Sequence, residues 1–258
     1  GRESGVHDAE WLIALDVTSG RTSAMTEAVI RAASRIEVEW LDPTRSELAH
    51  ELDPETGTDK AREVDWYESI VLRERPIAPS ADRRVELLAA AWLAREPDAQ
   101  SLQLLRRMAF ARIDAAVNDL ATASAQSARK LSNLVLTEDL LPWDARQRLD
   151  RQAPAMLTVP SGRSMPIDYE ENGALSVSVK LQELFGLAET PRIGPSQTPI
   201  TFHLLAPNGR PVQTTQDLRS FWERTYPEVR KELRGRYPRH PWPEDPWTAP
   251  ATHRTKRR

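Results

Sequence analysis

The chain contains no cysteine. That excludes disulfides, thiolate metal sites and a cysteine nucleophile, and it fits a cytoplasmic protein. No apolar run approaches the roughly 20 residues that a membrane-spanning helix requires. The opening Gly1-Arg2-Glu3-Ser4 has neither an initiator methionine nor an apolar signal core, which predicts a fragment of a longer protein. Catalytic signatures are missing too. None of the 10 glycines precedes a lysine, so no phosphate-cradling loop of the P-loop type is present. The five histidines have no partner four residues away, no His-Glu-x-x-His motif occurs, and zinc has no evident ligand set. No Gly-x-Ser-x-Gly elbow appears. Asp168, Glu170 and Glu171 read as the solvated end of a strand. No catalytic residue, metal or cofactor is therefore expected within this chain.

What remains is substantial. The chain has 258 residues, 40% of them hydrophobic, with 8 tryptophans, enough for two or three folded modules. The net charge of −3 conceals a gradient. Residues 1–100 carry 12 Lys/Arg against 21 Asp/Glu, residues 101–218 carry 12 of each, and residues 219–258 carry 11 against 5. A basic end suits an acidic partner, nucleic acid first, or a merely solvated tail.

Patterning gives the expected elements. Trp11–Val17 reads as a strand and Glu27–Ala33 as its return. Ser34-Arg35-Ile36-Glu37 has capping-box spacing and predicts a short helix. Asp53-Pro54-Glu55-Thr56-Gly57 is a turn cluster. Val64, Trp66, Glu68, Ile70 and Leu72 alternate along one long strand. Pro76 and Pro79 predict a boundary. Ser80 then opens a helix with Val85, Leu88, Ala89, Trp92 and Leu93 on one stripe. A second helix carries Leu105, Met108, Ala109, Ala116, Val117 and Leu120 on one face, and Pro142-Trp143-Asp144 opens a last short one. From Met156 the period returns to two, giving three strands over 157–180. A helix at Leu181–Phe185 closes on Gly186, and Thr201–Leu205 is a further strand. Two final helices follow, the second with a Thr225-x-x-Glu228 capping box.

The fold class is α+β. The expectation is an OB-like β-barrel over 1–78, a helical linker bundle over 79–152, and a mixed β/α C-terminal domain over 153–247 ending in two helices. Residues 248–258 read as a basic, disordered tail.

Several ordered segments resemble one family. They are Leu140–Trp143, Leu157–Gly162, Ile167–Tyr169, Val179–Leu187, Leu204–Gln213 and Tyr226–Pro238, running into His240–Pro246. Together they resemble the C-terminal region of the HrpB-type DEAH-box ATP-dependent RNA helicases of bacteria. Trp11–Val17 and Ser69–Pro76 are similar to the stretch before that region. The resemblance implies two RecA-like motor domains, a winged-helix element and a helical element upstream of Gly1. It also implies ATP and magnesium held by those motor domains. The partners it implies are the motor domains of the same chain, single-stranded RNA and a regulatory protein. It transfers no catalytic residue to any position here.

Two places suit RNA by their residue types. Tyr226, Val229, Leu233 and Tyr237 share the inward face of the last helix, leaving Arg230, Lys231 and Arg234 opposite and Arg236 and Arg239 near its exit. A guanidinium fork donates two hydrogen bonds to a phosphate. The alternatives for this face are a docking surface for the motor domains and a plain solvated surface. In the first module Trp66 and Tyr67, with Arg73 and Arg75, form a candidate binding face, with a core role for Trp66 as the alternative. Pro241–Trp247 is extended. Its two indoles either stack on bases or clamp the segment onto a domain. A protein-interaction platform without RNA contact is the competing reading.

Overall fold

The computed structural model describes residues 6, 8–22 and 25–253. They fall into two compact units, Gly1–Leu87 and Leu88–Arg258. Among them no helix is long and apolar enough to cross a membrane. The last residues of the basic tail, 254–258, lie outside the described set.

The first unit is built from antiparallel strands. β1 (Leu12–Thr22) and β2 (Met25–Arg35) form a two-stranded hairpin. β3 (Arg45–Leu52), β4 (Asp59–Tyr67) and β5 (Ile70–Ile77) form a meander in that order. Five strands in two separate sheets replace the closed OB-like barrel expected from the sequence.

Three local expectations change with it. The capping-box helix is absent because Ser34 and Arg35 finish β2, and a 3-10 turn follows at Val38–Trp40. The single long strand through 64–72 is two strands: Glu68 takes a positive φ of 53° and the chain reverses, pairing Tyr67 with Ile70. Pro76 sits inside β5 instead of ending it. An edge strand tolerates a residue without an N–H, and β5 is the edge of its sheet.

Helix α1 (Ala81–Leu93) contains the boundary between the units. In the second unit α1 is followed by α2 (Ala99–Phe110), α3 (Val117–Ser127) and α4 (Trp143–Gln152). The expected helix through 105–120 is broken: Arg112 has a positive φ of 53°, and the carboxylate of Asp98 caps α2 through the N–H groups of Gln100 and Ser101. Leu88, Trp92, Leu104, Met108, Leu120 and Leu149 are buried.

The strands that follow divide between two sheets. β6 (Met156–Thr158) pairs with β7 (Ser164–Pro166). A five-stranded sheet contains β8 (Asp168–Tyr169), β9 (Leu175–Lys180), β10 (Arg192–Ile193), β11 (Thr198–Leu205) and β12 (Pro211–Thr215). β9 and β11 run parallel at its centre. Such a pair needs a crossover of a dozen or more residues, and residues 181–197 supply it. Leu175, Val177, Val179, Ile200, Phe202 and Leu204 point to the buried side.

The two closing helices join into one run. α5 (Leu218–Ser220), a π turn (Phe221–Thr225) and α6 (Tyr226–Arg236) are contiguous. The capping box is not formed, because Thr225 is itself helical and its side chain caps nothing. Pro227 accounts for the π turn. A proline inside a helix has no N–H and its ring crowds the carbonyl four residues back, and widening the turn relieves that clash. The N–H of Tyr226 accordingly donates to the oxygen of Phe221, five residues back.

Candidate nucleic-acid interface

The outer face of α6 is positioned by its inner one. Tyr226 and Leu233 are buried and Val229 and Tyr237 half-buried. Tyr226 meets Phe185 edge-on at 5.9 Å and Trp222 at 5.3 Å between ring centroids. Trp222 donates its indole N–H to the Leu187 carbonyl at 2.9 Å. This aromatic cluster fixes the rotation of the helix, so its outward residues are determined.

The five cations expected there divide. Arg230 is half-buried and engaged: its Nε donates to the Trp242 carbonyl at 3.0 Å and its Nη2 to Glu244 at 2.8 Å. Arg236 is exposed and paired with Glu232 at 3.2 Å. Lys231, Arg234 and Arg239 are exposed and have no carboxylate partner among the described residues. The patch that faces solvent with free charge is therefore these three.

Arg230 holds the Pro/Trp segment, which packs as a clamp. Trp242 is 8% exposed, and its indole N–H donates to the Tyr237 carbonyl at 2.9 Å. The Tyr226 hydroxyl donates to the Pro243 carbonyl at 2.9 Å. Gly186, at φ 83°, donates its N–H to the Pro246 carbonyl, and Thr252 donates its N–H to the Gln182 carbonyl. His240 lies between Tyr237 and Trp242. Its partial burial, aided by the Lys180 charge, holds the imidazole below its ordinary pKa.

In the first unit the four expected residues also divide. The guanidinium carbon of Arg45 lies 5.0 Å from the Trp66 ring centroid, so the chain's own cation already covers one face of that half-buried indole. Arg75 is paired with Glu63 at 3.0 Å and Asp65 at 3.3 Å. Tyr67 and Arg73 are exposed. The two sets of candidates belong to different units.

Sequence reasoning missed two features of the second unit. Arg107 is buried on α2, donating from Nε to the Ala153 carbonyl at 2.8 Å and pairing with Glu138. It shares the buried side of α2 with Leu104 and Met108, whereas Ala109 of the expected stripe is exposed, and a long stem with a charged head gives no apolar signal there. Trp143 is 77% exposed, although its place beside Pro142 marked only a helix start. The spacing of Trp143, Gln147 and Arg151 was the available clue. Among the described residues no group of three or more His, Cys, Asp or Glu could hold a metal ion.

Comparison with known proteins adds the following. Residues 115–246 match the HrpB C-terminal family model, described as ATP-dependent helicase C-terminal. The ATP-dependent RNA helicase HrpB of Escherichia coli (strain K12) is 46% identical over 118 residues, which cover 46% of this chain and 15% of that protein. A crystal structure of the E. coli DExH-box NTPase HrpB superposes with a TM-score of 0.60 at 30% identity, covering 98% of this chain and 35% of the other. A second, of the Escherichia coli DEAH/RHA helicase HrpB, gives 0.51 at 29% identity, covering 91% and 33%. The chain thus spans about a third of the solved chains it matches.

Proposed function

The chain belongs to the HrpB C-terminal family of ATP-dependent helicases, and from that membership we propose that it is an accessory region of a longer RNA helicase. It braces the motor domains and guides single-stranded RNA. ATP and magnesium would be held by those motor domains, because this chain has no Gly-Lys loop to cradle a triphosphate. A cytoplasmic location goes with this reading.

Guidance rests on one observation. Lys231 and Arg234 on the outer face of α6, and Arg239 in the turn just beyond its end, are exposed with free charge, and the opposite face of the helix is locked by the aromatic cluster. Fixed, unpaired cations suit a phosphate backbone and read no sequence. Fluorescence anisotropy of labelled oligouridylate against the chain tests it: affinity that falls steeply with salt supports guidance. Salt-insensitive or absent binding opposes it.

The β1–β2 hairpin supports bracing. Leu12, Ile13, Leu15, Val17, Val29 and Ile30 are all exposed, and strand alternation spreads them over both faces. Apolar surface of this extent on a soluble domain marks a contact site. The same hairpin favours the second reading, a protein-interaction platform without RNA contact.

A further inference from the structure

Helix α4 buries Ala145 and Leu149 and turns its other side outward. At about 100° per residue, Trp143, Gln147 and Arg151 follow one another along that outward side, with Asp144 and Arg148 beside them. These five line a groove of ≈580 Å³. Trp143 is the barest large apolar side chain among the described residues. The Nε of Arg151 donates to the Gln147 carbonyl at 3.2 Å, which holds the guanidinium against the helix one turn from Trp143. Neither Arg148 nor Arg151 has a carboxylate partner among the described residues.

We propose that this face of α4 is a stacking platform for an unpaired base of single-stranded nucleic acid, with Trp143 supplying the ring and Arg148 and Arg151 the backbone contacts. The inference rests on the RNA-guidance reading and adds a second contact, separate from α6. A single strand presents a base π-face and a phosphate within one nucleotide, and this groove presents an indole and two guanidiniums. An apolar protein knob would use the indole and leave both cations idle. Asp144 lowers the local charge to a small positive excess. Binding there therefore depends on the free base, and a duplex, whose bases are already stacked, binds worse.

The test is anisotropy of labelled oligouridylate, and of a duplex of the same length, against the full chain and its variants. Trp143→Ala is expected to weaken single-strand binding about tenfold, the order of one stacked base, while Trp143→Phe recovers most of it. Arg148→Glu with Arg151→Glu should flatten the salt slope by roughly 1.4, at about 0.7 per phosphate on single strands. Circular dichroism should show every variant folded, since these side chains are exposed.

Normal single-strand binding by both variants, while glutamates at Lys231, Arg234 and Arg239 abolish it, overturns this inference and leaves the α6 reading intact. No binding by the unsubstituted chain overturns both. Normal RNA binding by Trp143→Ala together with lost docking onto separately added motor domains assigns the face to protein contact instead.

Discussion

Arg107 and Glu138 make a pair that the fold surrounds unevenly. The guanidinium is buried, its Nε is satisfied by Ala153, and its Nη2 has no partner among the described residues. Removing the carboxylate strands a buried charge, which costs more than removing both charges. Glu138→Ala should therefore lower the urea unfolding free energy by about 3 kcal/mol, and Arg107→Met, which keeps the stem, by less. Equal losses would show that the packing of the stem, and not the charge, dominates.

Tyr169 and Tyr226 carry a pH dependence of known sign. Burial pushes both phenols well above the ordinary tyrosine value, opposed weakly by Arg107 and Arg230 respectively. Each hydroxyl donates to a carbonyl, Tyr169 to Pro154 at 2.8 Å and Tyr226 to Pro243 at 2.9 Å. A phenol whose pKa is raised in the fold ionises first in the unfolded chain. Its stabilisation is complete below about pH 10 and is lost as pH climbs toward the folded value. The urea midpoint should hold from neutrality to about pH 9 and fall beyond about pH 10, with a shallower fall in Tyr226→Phe. A midpoint unchanged well above that range would contradict the assignment.

At the scale of elements, the segment after α6 acts as a structural strap. Trp242 fills the space beside Tyr237, while Arg230 and Tyr226 hold the backbone on either side of it. Trp242→Ala should cost the second unit about 3 kcal/mol, as truncation of a buried aromatic does, whereas Trp143→Ala should cost almost nothing. Comparable losses from both would mean that the exposed indole is also structural. Urea melts of the two variants decide this.

The strap also shows what the sequence disclosed. Its prolines announced an extended segment and its indoles left clamping and base stacking open, while the apolar spacing of Tyr226, Val229, Leu233 and Tyr237 announced which side of α6 faces inward. Arg230 looked free because its partners lie 12 and 14 residues further on, beyond the reach of helical spacing. The reversals at Glu68 and Arg112 escaped notice because neither residue is the glycine that a positive φ favours. The parallel pairing of β9 with β11 was hidden because strand order leaves no mark on periodicity. The π turn was read as a cap because Thr225 and Glu228 have capping-box spacing, while the constraint came from Pro227.

Across the whole molecule, charge and apolar surface are divided by position. The acidic first hundred residues contain the hairpin with bare aliphatic side chains, and the basic last forty contain the α6 face. Under the proposed function, apolar contact with the motor domains and electrostatic contact with RNA fall to different units. The first depends little on salt and the second strongly. The central claim is the electrostatic one, and oligouridylate affinity measured across a salt series for the chain and for the Lys231→Glu, Arg234→Glu, Arg239→Glu variant tests it most directly. Three phosphate contacts on a single strand predict that the variant loses roughly 2 from the magnitude of the log–log salt slope, with a similar loss of affinity on every RNA sequence. An unchanged slope and affinity in a folded variant would contradict the account and reassign the face of α6 to protein docking.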